Sequence, residues 1–462
     1  MVNYIVNGDD SRPFVQVVPQ TVLRLVKESN SIQIQERPIH RSESKDWILE
    51  SRIEGTISAS TVQDQLTNIR HIGFEVTDAC NLKCTYCAYG KLYNDYDERK
   101  GQKMDSARAK RFLDHLLVGI SSTANQSAHN KVYISFYGGE PLLNMPFIEE
   151  IVHYTQSKQT DELSFHYMMT SNAVYLKKYI PFLVEHDFRV MVSLDGTASH
   201  DAYRLFQNGQ ESFQTVYTNV KYVQTTYPDY FNKNISFNAV LHNLNNRQEI
   251  LDFFQREFGK QPNLSDLNNS GVNPLYQSEF DTMKQTKPVV EVEQAEDPLM
   301  QDRKINALQE FIFQYSGNKY SDYNTLLDSK AENNYIPTAT CLPFSKRIFL
   351  TVNNKILPCE KIGQQYAMGR MSNDELGLDC EHIASRYNAY YRSLHELCKD
   401  CYNKINCPKC MFGIEGLGDT NPFCNKKIDK EAFTSRLQEK MNCLRENPEL
   451  YKKIIETVKV ER

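Results

Sequence analysis

The chain has 462 residues, room for a large core and, as a prior, about two to four domains. Its 53 Lys and Arg against 58 Asp and Glu leave a net charge of −5 with both signs interspersed, so nothing marks a nucleic-acid or acidic-membrane surface. No apolar run reaches the roughly 18 residues of a membrane span, and MVNYIVNGDD turns acidic before a signal-peptide core can form, so a cytoplasmic protein is expected. Twelve cysteines in a compartment that keeps thiols reduced point to metal binding rather than a disulfide framework.

Residues 1–65 form an N-terminal extension without chemistry of its own. Phe14 to Val18 reads as a strand, Gln20 to Glu28 as a short amphipathic helix, and Ser31 to Arg37 as a strand with period-two alternation. Such a segment extends the edge of a following sheet, or recognises a partner peptide by taking it up as an added strand.

His71 to Thr77 reads as a buried strand that empties into Cys80, Cys84 and Cys87, placing three thiols at the carboxyl end where α/β sheets bind ligands. Three thiolates can hold three irons of a cubane and leave the fourth open; three Cys in eight residues can also begin a zinc site. Further strands are expected at Val132 to Tyr137, Ser164 to Thr170, Phe188 to Leu194 and Ile235 to Leu241, with a weaker one at Asn263 to Asn269. Helix-like runs fall between them at Ser106 to Ile120, Pro146 to Gln156, Tyr175 to Glu185, Phe213 to Tyr227 and Arg247 to Glu257. Alternating strands and helices imply right-handed βαβ units on a parallel sheet. Six units curl into a partial version of the eightfold barrel, with the active site at the strands' carboxyl ends.

Those strand ends carry polar signals. The second is followed by Gly138, Gly139, Glu140 and Pro141, where glycines let backbone approach a ligand and a carboxylate can hold an ammonium group. The third ends in Thr170, Ser171 and Asn172, and the fourth in Ser193, Leu194, Asp195 and Gly196, with His200, Asp201 and Arg204 beyond. Singly, Ser and Asp at such places also read as helix N-caps. Residues 259–300 shift to Asn, Gln, Ser, Pro and Glu, as in a mobile connector, before a helix at Asp302 to Tyr315. Nine of the cysteines lie from Cys341 onward. The run Cys398-x2-Cys401-x5-Cys407-x2-Cys410 holds too many thiols for one tetrahedral zinc with the others nearby, so two sites are needed.

Taken together, these residues closely resemble the radical S-adenosylmethionine (SAM) enzymes with a SPASM auxiliary domain. The resemblance covers about residues 70 to 430 and implies a partial (β/α)6 barrel at 66–300, linker helices at 301–340, a SPASM domain at 341–430 and a helical tail at 431–462. It implies that Cys80, Cys84 and Cys87 ligate a [4Fe-4S] cluster whose open iron binds SAM. Tyr86 would wall the adenine, Gly138, Gly139 and Glu140 the methionine amino group, Ser171 and Asn172 the ribose, and Ser193 and Arg204 the carboxylate. Two auxiliary [4Fe-4S] clusters would take Cys341, Cys359 and Cys410, and Cys398, Cys401, Cys407 and Cys424.

Three departures stand out. Asn354 occupies a usual glycine position, which Asn tolerates by adopting a left-handed turn. The last spacing is x2 in place of x3. The first auxiliary cluster lacks a nearby fourth thiol, leaving Cys380 or an open site; Cys443 reads as a spare thiol.

The SPASM branch contains sulfatase maturases and maturases of ribosomally made peptides. A base Asp usually follows the second auxiliary-domain Cys in the former; Glu360 stands there instead, as a candidate base. The resemblance therefore favours a peptide maturase that abstracts hydrogen and installs a thioether or carbon–carbon cross-link. Its partners would be a precursor peptide with a leader and an electron donor such as flavodoxin or ferredoxin. A formylglycine-generating sulfatase maturase and a non-catalytic, multi-cluster electron carrier are the alternatives.

Overall fold

The structure is a computed structural model describing residues 2–7, 14–19, 53–127, 131–285, 308, 336–372, 375–404 and 407–446. The helix expected at Gln20 to Glu28, the strand at Ser31 to Arg37 and, apart from Leu308, the helix at Asp302 to Tyr315 lie outside the described residues. Strands β1 (Val2–Asn7) and β2 (Phe14–Pro19) pair antiparallel, so the Phe14 strand exists and has a partner the sequence pattern did not suggest. The described residues fall into two compact units, one of residues 57–285 with 341–386 and another containing 387–446 with 336–340. The segment 341–430, expected as one domain, contributes to both.

In the larger unit, α1 (Ala59–Thr67) precedes β3 (His71–Thr77), after which strands and helices alternate. The order is α2 (Ser106–Ile120), β4 (Lys131–Gly138), α3 (Met145–Ser157), β5 (Ser164–Ser171), α4 (Leu176–Glu185) and β6 (Arg189–Ser193). Two helices, α5 (Phe213–Thr226) and α6 (Pro228–Asn234), lead to β7 (Ile235–Leu241), and α7 (Arg247–Phe258) leads to β8 (Asn263–Asp266). Strands β3 to β8 are neighbours in chain order and all parallel, as six successive βα units require. Side chains alternate between the sheet's faces. Ile72, Phe74 and Val76 are fully buried against the helices, Phe74 meeting Phe112 and Phe147 edge-on at 6.0 and 5.9 Å. The other face carries Gly73, Glu75, Ser135 and Tyr137. Gly73 is required there, because a Cβ would lie 2.8 Å from the Phe349 ring and 2.9 Å from Ser135 Oγ.

The segment after β8 departs from the expected mobile connector. Helix α8 (Gln277–Lys284) buries Phe280 and Met283 against Leu92, Tyr93 and Leu267, and Asn94 N donates to Gly271 O at 2.8 Å. Apolar anchors hidden in a polar composition hold it to the loop that follows the cysteines; residues 286–300 lie outside the described residues.

The sheet then extends beyond the barrel. Strand β9 (Ile348–Leu350) pairs parallel with β3, and β10 (Lys355–Leu357), β11 (Gly369–Ser372) and β12 (Glu375–Gly377) add antiparallel to it. Ten strands result. The turn between β9 and β10 places Asn354 at φ +67°, the left-handed conformation expected of it. Helices α9 (Cys380–Cys398) and α10 (Lys430–Glu446) complete the described elements.

Candidate active site

The cysteine loop is fixed by its own backbone and by the segment after β6. Cys87 N donates to Cys84 O at 3.1 Å, Lys83 N to Leu205 O at 2.6 Å, and Thr85 N to Tyr203 O at 3.0 Å. Gln207 Nε2 donates to the carbonyls of Cys80 and Leu82 at 3.0 and 2.9 Å. Cys80, Cys84 and Cys87 line one cavity of about 370 Å³ with Arg99 and Gln207. Burial, then the neighbouring thiols, pushes Cys84 up to about 12 against the opposing pull of Arg204. Thiols packed this way resist ionising unless a metal supplies the compensating charge.

The Gly138–Gly139–Glu140 turn lies directly against this loop. A Cβ on Gly139 would sit 2.1 Å from Ala79 O and one on Gly138 2.3 Å from Thr77 O, so only glycine admits the contact. Glu140 N donates to Ala79 O at 2.9 Å. The Glu140 carboxylate is 1% exposed and accepts from Ser171 Oγ at 2.8 Å, Asn172 N at 2.7 Å and Leu142 N at 3.1 Å. Burial raises its pKa and these donors oppose the rise. Glu140 thus ties the second strand end to the third, and Asn172 Nδ2 reaches Asn81 Oδ1 at 2.7 Å and Cys80 Sγ at 3.7 Å.

The structure therefore brings Gly138, Gly139, Glu140, Ser171 and Asn172 to the cysteine loop. Ser193 ends β6 opposite Asn238, and Arg204 stands close enough to bias Cys84.

Tyr86 differs from a simple ring wall. Its hydroxyl donates to Asp195 Oδ2 and accepts from Arg204 Nη1 at 3.0 Å, while its ring stacks on His242 at 5.9 Å. Asp195 and His242 are fully buried, with 3.7 Å between Oδ2 and Nε2. Asp201 is pushed up to about 8 by burial, reinforced by Asp195 and opposed by Arg204. Sequence reasoning quoted Asp195 without assigning it and missed His242, although His242 directly follows β7, where the strand-end rule places ligand groups. Glu75 and Arg99 carried no sequence signal.

Among the auxiliary candidates, Cys398, Cys401, Cys407 and Cys424 line a cavity of about 460 Å³ in the smaller unit. Burial, then Cys407, Cys401 and Cys424, pushes Cys398 up to about 12, so the four thiols lie near one another. Among the described residues no group of three or more His, Cys, Asp or Glu is placed to hold a metal ion. In the larger unit, Cys341 and Cys359 both act on Arg347.

Cys410 lies between Lys409 and Met411, whose backbones bond Ala339 and Thr340, the residues just before Cys341. Cys380 approaches Gln63 at 3.6 Å, and burial, then Asp379 and Glu381, raises its pKa. Glu360 pairs with Arg347 at 2.5 Å, whereas Lys355 pairs with Asp97. Burial alone would raise the Glu360 pKa, but Arg347 outweighs it and holds the carboxyl below its ordinary value.

With this geometry in view, residues 74–256 match the Radical SAM superfamily. The chain thus carries a radical SAM domain over those residues. It is 22% identical over 399 residues to the radical SAM cyclopropyl synthase TigE of Paramaledivibacter caminithermalis, covering 84% of this chain and 73% of that one. It is 32% identical over 145 residues to a cysteine-type anaerobic sulfatase-maturating enzyme of Clostridium novyi, 31% of this chain and 37% of that one. The chain thus spans less than half of that enzyme's length, and the same holds for a second curated relative, at 45%. The fold resembles native anSMEcpe with bound AdoMet at a TM-score of 0.52 and 16% identity, over 84% of this chain and all of that one. Among the described residues no helix is long and apolar enough to cross a membrane.

Proposed function

We propose that the protein is a SAM-cleaving peptide maturase that removes hydrogen from a ribosomally made precursor peptide and installs a cross-link, of thioether or carbon–carbon type. The observation that carries the reading is the cavity lined by Cys80, Cys84 and Cys87, which the Glu140–Ser171–Asn172 network reaches through Asn172 and Cys80. The breadth of the TigE match, beside the short sulfatase-maturase match, favours peptide cross-linking over formylglycine formation. An electron carrier alone would need no amino-acid site at the first cup.

When bound, a reduced [4Fe-4S] cluster at Cys80, Cys84 and Cys87 supplies the electron that cleaves SAM to a 5′-deoxyadenosyl radical. The chain's own residues set where this happens. Gly138 and Gly139 bring backbone to the cup, Asn172 reaches toward Cys80, and Arg204 offers a cation for a carboxylate. Glu140, already holding Ser171 and Asn172, keeps the amino-group side in register. Cys398, Cys401, Cys407 and Cys424 would hold one auxiliary cluster and Cys341, Cys359 and Cys410 another, groups that would supply electron-accepting capacity. A precursor peptide with a leader and a flavodoxin or ferredoxin are the implied partners.

Changing Cys80, Cys84 and Cys87 together to Ala is expected to abolish 5′-deoxyadenosine formation and to lower iron and sulfide by about one cubane per chain. Persisting SAM cleavage would refute the assignment. Mass change in a precursor peptide, against none in a sulfatase-derived peptide, separates the two maturase readings.

A further inference from the structure

The loop that follows the cup sends one cation back to it. Arg99 Nη2 donates to Cys87 Sγ at 3.2 Å. Its guanidinium lies over the Tyr89 ring, 4.4 Å from the centroid. That ring is itself fixed: Tyr89 Oη donates to Glu75 Oε1 at 2.6 Å, and Glu75 Oε2 accepts from Val352 N at 3.0 Å. Tyr96 backs it, with the ring centroids 4.8 Å apart. Arg99 Nε is buried without a partner, and among the described residues no carboxylate forms an ion pair with Arg99. A planar cation is therefore clamped by an aromatic platform with one N–H aimed at a ligand sulfur and its charge unneutralised.

We propose that Arg99 is a positioning residue that tunes the cluster held by Cys80, Cys84 and Cys87, raising its reduction potential so that a modest donor can reduce it. The inference rests on the functional reading above. In the step concerned the cluster gains one electron from the external donor, and no bond forms or breaks. The added negative charge falls on iron and sulfur, where an N–H···S bond and a nearby positive charge stabilise it, as hydrogen bonding to cluster sulfurs generally does. Glu75 and Tyr89 act through Arg99: the buried carboxylate fixes the phenol, and the ring fixes the guanidinium. A Lys would keep the charge but lose the planar stack and the directed N–H.

The test is an EPR-monitored redox titration of the full-length, cluster-loaded protein, following the signal that changes when SAM is added. Arg99→Gln is expected to move the midpoint to a more negative value. At a fixed poise the ratio of reduced to oxidised cluster should fall about tenfold, which for one electron corresponds to 59 mV. Arg99→Lys should move it less. If Arg99→Gln does not load its cluster, Arg99→Lys and Tyr89→Phe carry the measurement, and both should shift the midpoint in the same direction. An unchanged midpoint in the loaded variants overturns the inference while leaving SAM cleavage intact. A wild-type protein with no SAM-responsive signal overturns the functional reading, and this inference with it.

Discussion

Glu360 shows how a single contact redirects a residue's role. A carboxylate directly after a ligand-type cysteine invites a catalytic base, but Arg347 pairs with it and holds it ionised below the ordinary range, which weakens it as a proton acceptor. Its folded-state pKa lies under the free value of 4.5. The pair therefore stabilises the fold above about pH 4.5, and that contribution is lost as the pH falls through the lowered value. Glu360→Gln keeps a hydrogen bond to Arg347 and loses the charge, so about 1–2 kcal/mol of stability should go and the acid limb attributable to this pair should flatten. Cross-linked product should form at a near-normal rate. Thermal unfolding across pH 3 to 7, with product measured by mass spectrometry, checks both; a collapse of product with 5′-deoxyadenosine formation intact would restore Glu360 as the base. The sequence showed the carboxylate but not its partner, because Arg347 meets it only when β9 and β10 pair.

At the scale of elements, β3 to β7 were legible because each carries buried apolar residues and is bounded by helical periodicity, and Ile235–Leu241 falls where its pattern places it. Strands β9 to β12 were not, being three or four residues long, too short for alternation to register. The glycine turn after β4 was legible as a close approach, though the sequence did not say to what. The structure answers that it packs against the backbone of residues 77 to 79. Gly139→Ala must therefore push two backbones apart, at a cost of about 3 kcal/mol, and displace Glu140 from Ala79. The expected result is a lower melting temperature with SAM binding lost out of proportion to cluster content. Iron analysis beside SAM affinity tests this, and unchanged affinity would show that the turn is only a connector.

Across the whole molecule, each of the two units has buried apolar residues of its own. The larger one encloses a continuous apolar layer in which Phe74, Phe112, Phe136, Phe188, Phe237 and Phe254 are fully buried, each contributing about 1.5–3 kcal/mol by leaving water. In the smaller unit, Cys398, Cys401, Cys407 and Cys424 surround a void also lined by Lys404, Lys409, Lys426 and Lys427. Leu397, Pro408, Ile414 and Ile428 line that void as well, and burial with the neighbouring thiols pushes Cys398 up to about 12, so a bound cluster would add to the folding free energy there. The sequence announced both, one through periodicity and the other through cysteine spacing, yet not that residues 341–386 pack with the barrel. Removing iron and sulfide should therefore raise amide hydrogen exchange across residues 398–428 well before it affects β4 to β7, and reconstitution should restore the protection. Exchange followed by mass spectrometry on apo and loaded full-length protein decides it: an equal loss of protection in both units would mean that the barrel also depends on its cluster for order, and no loss in either would mean that the four thiols are held by packing alone.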